Sequence, residues 1–207
     1  MDTTESASQE QAGQQPEQRQ EPQRRGKEEY AIILDFLQHG YPFDKRPSHR
    51  KTPIAQAIGK EHFTLLELIP KPGIFLQPLE EVYIGIDKRD KIHHITGKLS
   101  ITRLTTTASA ELKHVLEDLV TRQEVRFTEF FNKAAPLTTR MHTLELLPGL
   151  GKKHMWEIIE QREDKPFESF ADLKKRVKLM PDPKTIIMRR IVQELEGKEK
   201  HPLFVDV

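Results

Sequence analysis

Cysteine is absent from the 207 residues, which excludes a disulfide framework, a thiolate zinc site, an iron–sulfur cluster and a cysteine nucleophile. No run approaches 18 apolar residues, and the polar start lacks the hydrophobic stretch of a signal peptide. A cytoplasmic setting with no membrane partner is the expectation. Charge of one sign is missing too: 33 Lys and Arg face 32 Asp and Glu, a formal net charge of +1. That balance excludes a uniformly basic coat for polyanions but not a local basic face, because a net total hides segregation. Catalytic signatures are lacking as well. The nine His residues are scattered without H-x-x-x-H spacing, and neither a Walker sequence nor a Gly-x-Ser-x-Gly elbow occurs. Residues His93 and His94 are adjacent and expected to point opposite ways on a strand. No metal, no cofactor and no enzyme activity are expected.

What is present divides the chain. Residues 1–27 hold seven Gln, and Met1, Ala7 and Ala12 are their only apolar side chains. They read as a disordered tail ending in Arg24, Arg25 and Lys27. Residues 28–106 are strand-rich, with candidates at Tyr30–Leu37, Ile54–Gly59, His62–Ile69, Glu81–Ile86 and Ile95–Ile101. In the first, Tyr30, Ile32, Leu34 and Phe36 would share one face. Five short strands suit a small barrel of the oligonucleotide-binding (OB) type, and an SH3-like barrel or a small α+β sheet fits the same pattern. Residues 107–137 form a helical connector. Leu112, Val115, Leu116, Leu119 and Val120 fall at helical spacing after a Thr107 or Ser109 cap, and a second helix carries Val125, Phe127, Phe130 and Phe131. The fold class expected is α+β and multidomain, an OB-like barrel followed by a helical domain over 138–200.

The segment Leu147-Pro148-Gly149-Leu150-Gly151-Lys152-Lys153 carries the strongest signal. Pro148 and Gly149 stop one helix, and Gly151 begins the next, whose inner face is Met155, Ile158 and Ile159. Such a turn points backbone N–H groups outward from a helix N-terminus, where Lys152 and Lys153 would neutralise a phosphate. The segment resembles the helix-hairpin-helix motif, with Leu147, Pro148, Gly149, Leu150, Gly151, Lys153, Ile158, Ile159 and Arg162 matching. Met155 and Glu157 stand where Ala is frequent. A connector at 165–173 places Phe167, Phe170 and Leu173 beneath a second hairpin. There, Met180 and Asp182 occupy the expected glycine positions, so the second unit reads as mainly structural, with Ile186, Ile187, Ile191 and Leu195 in the core.

Charge segregates beside this turn. Residues 174–190 carry Lys174, Lys175, Arg176, Lys178, Lys184, Arg189 and Arg190 against one acid, Asp182, a local charge of +6. The candidate nucleic-acid contacts are therefore Gly149, Leu150, Gly151, Lys152, Lys153, Lys174, Lys175 and Arg176. A second contact is expected on the loop carrying Lys45, Arg46, His49, Arg50 and Lys51. Tyr30 reads as core, and Tyr83 as a ring available to a base.

The stretches Glu29–Leu37, Gly85–Arg89 and Met141–Lys153 resemble an archaeal family of uncharacterised proteins taken to bind RNA, over about residues 28–200. The resemblance implies an OB-like domain followed by tandem helix-hairpin-helix units and no established activity. The same order resembles the junction-binding subunit of bacterial branch-migration complexes, on architecture alone. The expected function is non-catalytic nucleic-acid binding, RNA ahead of DNA, with ribosomal or RNA-processing proteins as further partners. The alternatives are a DNA repair or recombination factor, or a protein scaffold. A glycosylase version of the former would use Lys153 and Asp172, although Asp172 reads better as a helix cap.

Overall fold

In the computed structural model, which describes residues 27–43, 45–47 and 51–206, strand β1 (Tyr30–Leu37) changes faces part-way along. Ala31 and Ile33 join one buried cluster, while Leu34 joins another on the opposite face. The pairing with β2 (Ile54–Gly59) then skips a residue between Ile33 and Asp35. This β-bulge sends Phe36 to the side of Ala31 and Ile33. Tyr30, Ile32, Leu34 and Phe36 therefore do not share a face, and Tyr30 is 40% exposed rather than core. Except for Lys27, the expected tail lies outside the described residues.

Strands β3 (Leu65–Pro70), β4 (Glu81–Tyr83) and β5 (Ile92–Lys98) complete an antiparallel sheet of order β4-β1-β2-β3-β5. It curls into a half-barrel with β4 and β5 as its edges. Side chains that compete for backbone groups move the strand ends away from their expected places. The buried carboxylate of Glu28 accepts the N–H groups of Glu61, His62 and Thr64, so β3 starts at Leu65 instead of His62. The same carboxylate fills the space a Cβ would need at Gly59. Downstream, the Ser100 hydroxyl caps a 3-10 turn over Ile101–Arg103, where the strand pattern had continued to Ile101.

Helix α1 (Thr106–Arg122) is capped by Thr105, not by Thr107 or Ser109. The Thr105 hydroxyl accepts from Ala108 N and donates to Asp35 of β1 at 2.6 Å. Buried Gln56 of β2 takes the Thr105 N–H and donates to the Arg103 carbonyl, joining sheet to helix by polar contacts. Helix α2 (Glu124–Lys133) follows, then a short ribbon of β6 (Pro136–Thr138) and β7 (Met141–His142). A 3-10 turn over Thr143–Leu146 leads to α3 (Lys152–Asp164), α4 (Phe170–Arg176) and α5 (Pro183–Leu195). One apolar cluster runs from Leu34, Ile58 and Phe63 through Leu116, Phe127 and Phe131 to Ile158, Leu173 and Ile187. Sheet and helices thus share a core.

The C-terminal segment is drawn back onto this core by a buried ion pair. Glu194 is fully buried, and its carboxylate accepts from Arg190 Nε at 2.7 Å and from the N–H groups of Leu203, Phe204 and Val205. Arg190, 2% exposed, also donates to Glu199 and to the carbonyls of Leu146 and His201. Removing Glu194 leaves Arg190 with Glu199 as its remaining carboxylate and strips three backbone N–H groups of their acceptor, a break in a buried pair that costs about 3–5 kcal/mol. We predict that Glu194→Ala loses stability on that scale in urea unfolding. An unchanged midpoint would show that the network does not carry the C-terminal segment.

Candidate functional site

The Leu147–Gly151 turn is built by its ends. His142 Nδ1 accepts from Leu144 N while Glu145 accepts from His142 N, a capping box for the 3-10 turn over Thr143–Leu146. The expected first helix of the hairpin is therefore a single 3-10 turn, closed by the bond from Leu147 N to Leu144 O. Gly149 adopts φ +88°, a left-handed conformation that favours glycine. Leu150 is buried and anchors the loop. Gly151 is the N-cap of α3, and no side chain caps this end. The first intrahelical bond runs from Met155 N to Gly151 O, so the N–H groups of Lys152, Lys153 and His154 precede it.

Gly151 is informative for what it does not need. Its backbone is extended, φ −85° and ψ 171°, which any residue adopts. A Cβ there would meet no atom within 4 Å. Neither strain nor internal packing calls for glycine, and the space beside it is open. Lys152, Lys153 and Lys175 are exposed and make no ion pair among the described residues. Lys174 lies 3.9 Å from Asp182.

The second hairpin, between α4 and α5, differs chemically. Leu179, not Met180, takes the left-handed position at φ 58°, whereas Met180 is buried as Leu150 is. The two turns touch, since a Cβ on Gly149 would lie 3.6 Å from Pro181. Asp182 caps α5 by accepting the Thr185 N–H at 3.0 Å and its hydroxyl at 2.9 Å. This helix end is therefore occupied by its own carboxylate.

Several basic residues of the helical half are tied up in bonds within the molecule, three of them (Arg176, Lys184 and Arg190) counted toward the local charge. Arg176 stacks 4.6 Å from the Phe167 ring and donates to the carbonyls of Gln161, Lys165 and Pro166 and to Asp172. It secures the α3–α4 connector and does not face outward with Lys174 and Lys175. Arg190 is buried, and Lys184 bonds Glu117 of α1, which raises the lysine's pKa and lowers the carboxylate's. Arg162 donates to the carbonyls of Phe131 and Ala134 at the end of α2, and burial lowers its pKa. Asp172 is not the cap of α4. Ser169 is, while the Asp172 carboxylate engages Arg176 and Glu168 N.

On the sheet half, Lys45 and Arg46 are exposed on the β1–β2 loop and Lys51 is half-buried; Arg50 and His49 lie outside the described residues. Beside them Phe43 stacks on Tyr41 at 4.9 Å, and Arg103 lies over the other ring of that pair at 5.8 Å. Tyr30 and Tyr83 meet edge-on at 5.3 Å under Lys60. Phe43, Trp156 and Phe75 (the last edge-on to Phe36) are exposed aromatics that the sequence alone does not single out, and the first two lie beside basic residues. Phe43 and Trp156 each carry a signal in the sequence: Phe43 precedes a basic run, and Trp156 falls at i+3 and i+4 from the lysines, off the Met155–Ile158 face. The rings of His93 and His94 do not diverge, and their Nδ1 atoms lie 2.7 Å apart. Among the described residues no group of three or more His, Cys, Asp or Glu could hold a metal ion, and no helix is long and apolar enough to cross a membrane.

A model of the family described as "Protein of unknown function (DUF655)" matches residues 27–206. An uncharacterized protein of Methanocaldococcus jannaschii, MJ0038, is 48% identical over 180 residues, 86% of this chain and 80% of that one. The crystal structure of Af1531 from Archaeoglobus fulgidus is similar at a TM-score of 0.79 and 44% identity, covering 86% of this chain and all of that one.

One titration bears on the shape of the turn. Burial, with Arg162 nearby, lowers the His142 pKa below the usual 6.5, against a smaller opposing effect of Glu145. A depressed folded-state value means that the unfolded chain binds the proton more readily. Stability is therefore full above pH 6.5 and falls as pH drops toward the folded value. Protonating Nδ1 also removes the acceptor for Leu144 N. We predict that thermal stability declines on acidification from pH 7.5 to 5 and that His142→Asn, which keeps an acceptor, flattens that decline. An equally steep decline in the variant would assign the effect elsewhere.

Proposed function

The chain belongs to the DUF655 family of uncharacterised archaeal proteins, and from that premise we propose that it is a non-catalytic nucleic-acid-binding protein that grips the phosphate backbone of RNA at the Gly149–Lys153 turn. The observation that carries this reading is the open, uncapped end of α3 at Gly151, flanked by two lysines without internal partners. Unbonded N–H groups and the positive end of the helix dipole favour an anion there. The glycine leaves room for a phosphate oxygen to approach the backbone. We read the two hairpins as a helix-hairpin-helix pair in which the first is the grip and the second its support. The curled sheet is read as an OB-like half-barrel, with the aromatic and basic side chains of the β1–β2 loop as its contact surface.

Backbone contacts position a ligand without reading its sequence. Binding on this reading is sequence-tolerant and salt-dependent. We put RNA ahead of DNA on the sequence's resemblance to proteins taken to bind RNA, and no side chain in the turn is specialised to read a 2′-OH. Near-neutral overall charge suits a localised contact in preference to broad coating of polyanions.

The test is a salt titration of binding to single-stranded RNA, read by fluorescence polarisation. The wild-type affinity falls log-linearly with salt. In the Lys152→Ala/Lys153→Ala double variant binding is weaker and the slope shallower by about 1.4, the loss of two single-strand phosphate contacts. Its melting temperature stays at the wild-type value because neither lysine holds an internal partner. An affinity that does not respond to salt, or a double variant with the wild-type slope, overturns the reading.

A further inference from the structure

Trp156 is the single tryptophan of the chain and is 63% exposed. Among the described residues its ring meets no other ring or cation, and its indole N–H meets no acceptor. Tryptophan is usually well buried, because its large apolar surface favours leaving water. Nothing in the fold covers it. Its position on α3 places it three and four residues after Lys153 and Lys152, on one helical face with them. Helical side chains lean toward the helix N-terminus, which carries the indole toward the open turn.

A second observation lies across the hairpin pair. Leu179 is 89% exposed and holds a left-handed backbone, φ 58°, that a leucine adopts only under strain. Its turn is tied to α3 by the bond from Lys178 N to Glu157 Oε1 at 2.8 Å. An exposed apolar tip and an exposed indole thus belong to two elements that touch, beside the uncompensated lysines. Glu160, one turn beyond Trp156, ends the basic stretch of this face.

We infer that Trp156 is a stacking platform for an unpaired base adjoining the phosphate held at the Gly149–Lys153 turn. The ligand is then single-stranded or looped RNA and not a continuous duplex. The inference rests on the phosphate-grip reading above and narrows its substrate class. Positive charge beside a free π-face complements a polyanion whose own π-faces are exposed. A duplex hides those faces within its stack, and a neutral or basic protein partner would leave the lysines uncompensated. Base–aromatic stacking is indifferent to sequence, consistent with a turn that reads no base edges.

The single indole makes the experiment direct, because indole fluorescence, excited selectively over the three tyrosines, reports this site alone. The full chain is titrated with an unstructured 12-nucleotide RNA and, separately, with that RNA annealed to its complement. The expected result is strong quenching by the single strand and little by the duplex. Trp156→Ala binds the single strand about 5- to 150-fold more weakly, while Trp156→Phe keeps most of the affinity and the duplex affinity of both variants is unchanged. Equal quenching by both forms overturns the inference. So does wild-type affinity in Trp156→Ala, and if Lys152→Ala/Lys153→Ala is still impaired there, the phosphate grip survives without the stacking. Loss of self-association in Trp156→Ala with RNA affinity intact assigns the indole to a protein contact instead. A chain that binds neither RNA overturns both readings together.

Discussion

The carboxylate of Glu194 organises the helical half of this molecule. It sits in the interior, pairs with Arg190 of the preceding turn of α5, and gathers three consecutive backbone N–H groups of the C-terminal segment. That gathering seats Phe204 against Phe127 and Phe130 of α2 and leads the chain to the sheet, where Asp206 N reaches the His62 carbonyl. The other arm of Arg190 holds the Leu146 carbonyl, one residue before the Leu147–Gly151 turn. A well-packed apolar replacement of such a pair often matches its stability. What the pair adds is address: it fixes which backbone groups of 146 and 201–205 lie beside α5.

The same network explains why counting charges along the sequence overstates the basic surface. Guanidinium groups bind carbonyl oxygens in fixed fork geometry, so arginines are suited to closing helix ends and connectors from within. Arg162, Arg176 and Arg190 all do this. Lysines have one flexible charge and tend to keep it in water. Lys152, Lys153, Lys175 and Lys178 accordingly keep their charges free on the two hairpins. A local charge of +6 over residues 174–190 becomes a smaller and more localised field once Arg176 and Arg190 are assigned to internal bonds, while Arg189 stays exposed.

Legibility followed the range of the forces involved. Helical periodicity located α1, α2, α3 and α5, because a buried stripe such as Leu112, Leu116 and Leu119 must recur on one side. The glycine turn was legible because Gly149 supplies a left-handed backbone that few other residues tolerate. Strand ends were not, since they were decided by side chains distant in sequence: Glu28 against residues 61–64, and Thr105 against Asp35. The bulge in β1 was likewise invisible, because alternation in Tyr30-Ala31-Ile32-Ile33-Leu34 is equally compatible with either face. At the site, the lysines and glycines stood out by type, whereas the roles of Arg176 and Trp156 depended on what the fold places beside them.

The two turns share a backbone geometry and differ in chemistry. Each has a buried apolar anchor, Leu150 or Met180, preceded by a left-handed residue, Gly149 or Leu179. They part at the helix start, where Gly151 leaves the N–H groups of α3 open and Asp182 closes those of α5 with its own carboxylate. A carboxylate at that end both satisfies the donors and repels a second anion, so the pair cannot act as two equal grips. The closed turn instead lies against the open one through Pro181 and is held to α3 by Glu157. Support of this kind fixes the direction of the free N–H groups before any ligand arrives, and donors already aimed lose little freedom on binding. The asymmetry between Gly151 and Asp182 therefore leaves one helix end open to an anion and closes the other, which is the one-sided geometry that the proposed single-strand grip requires.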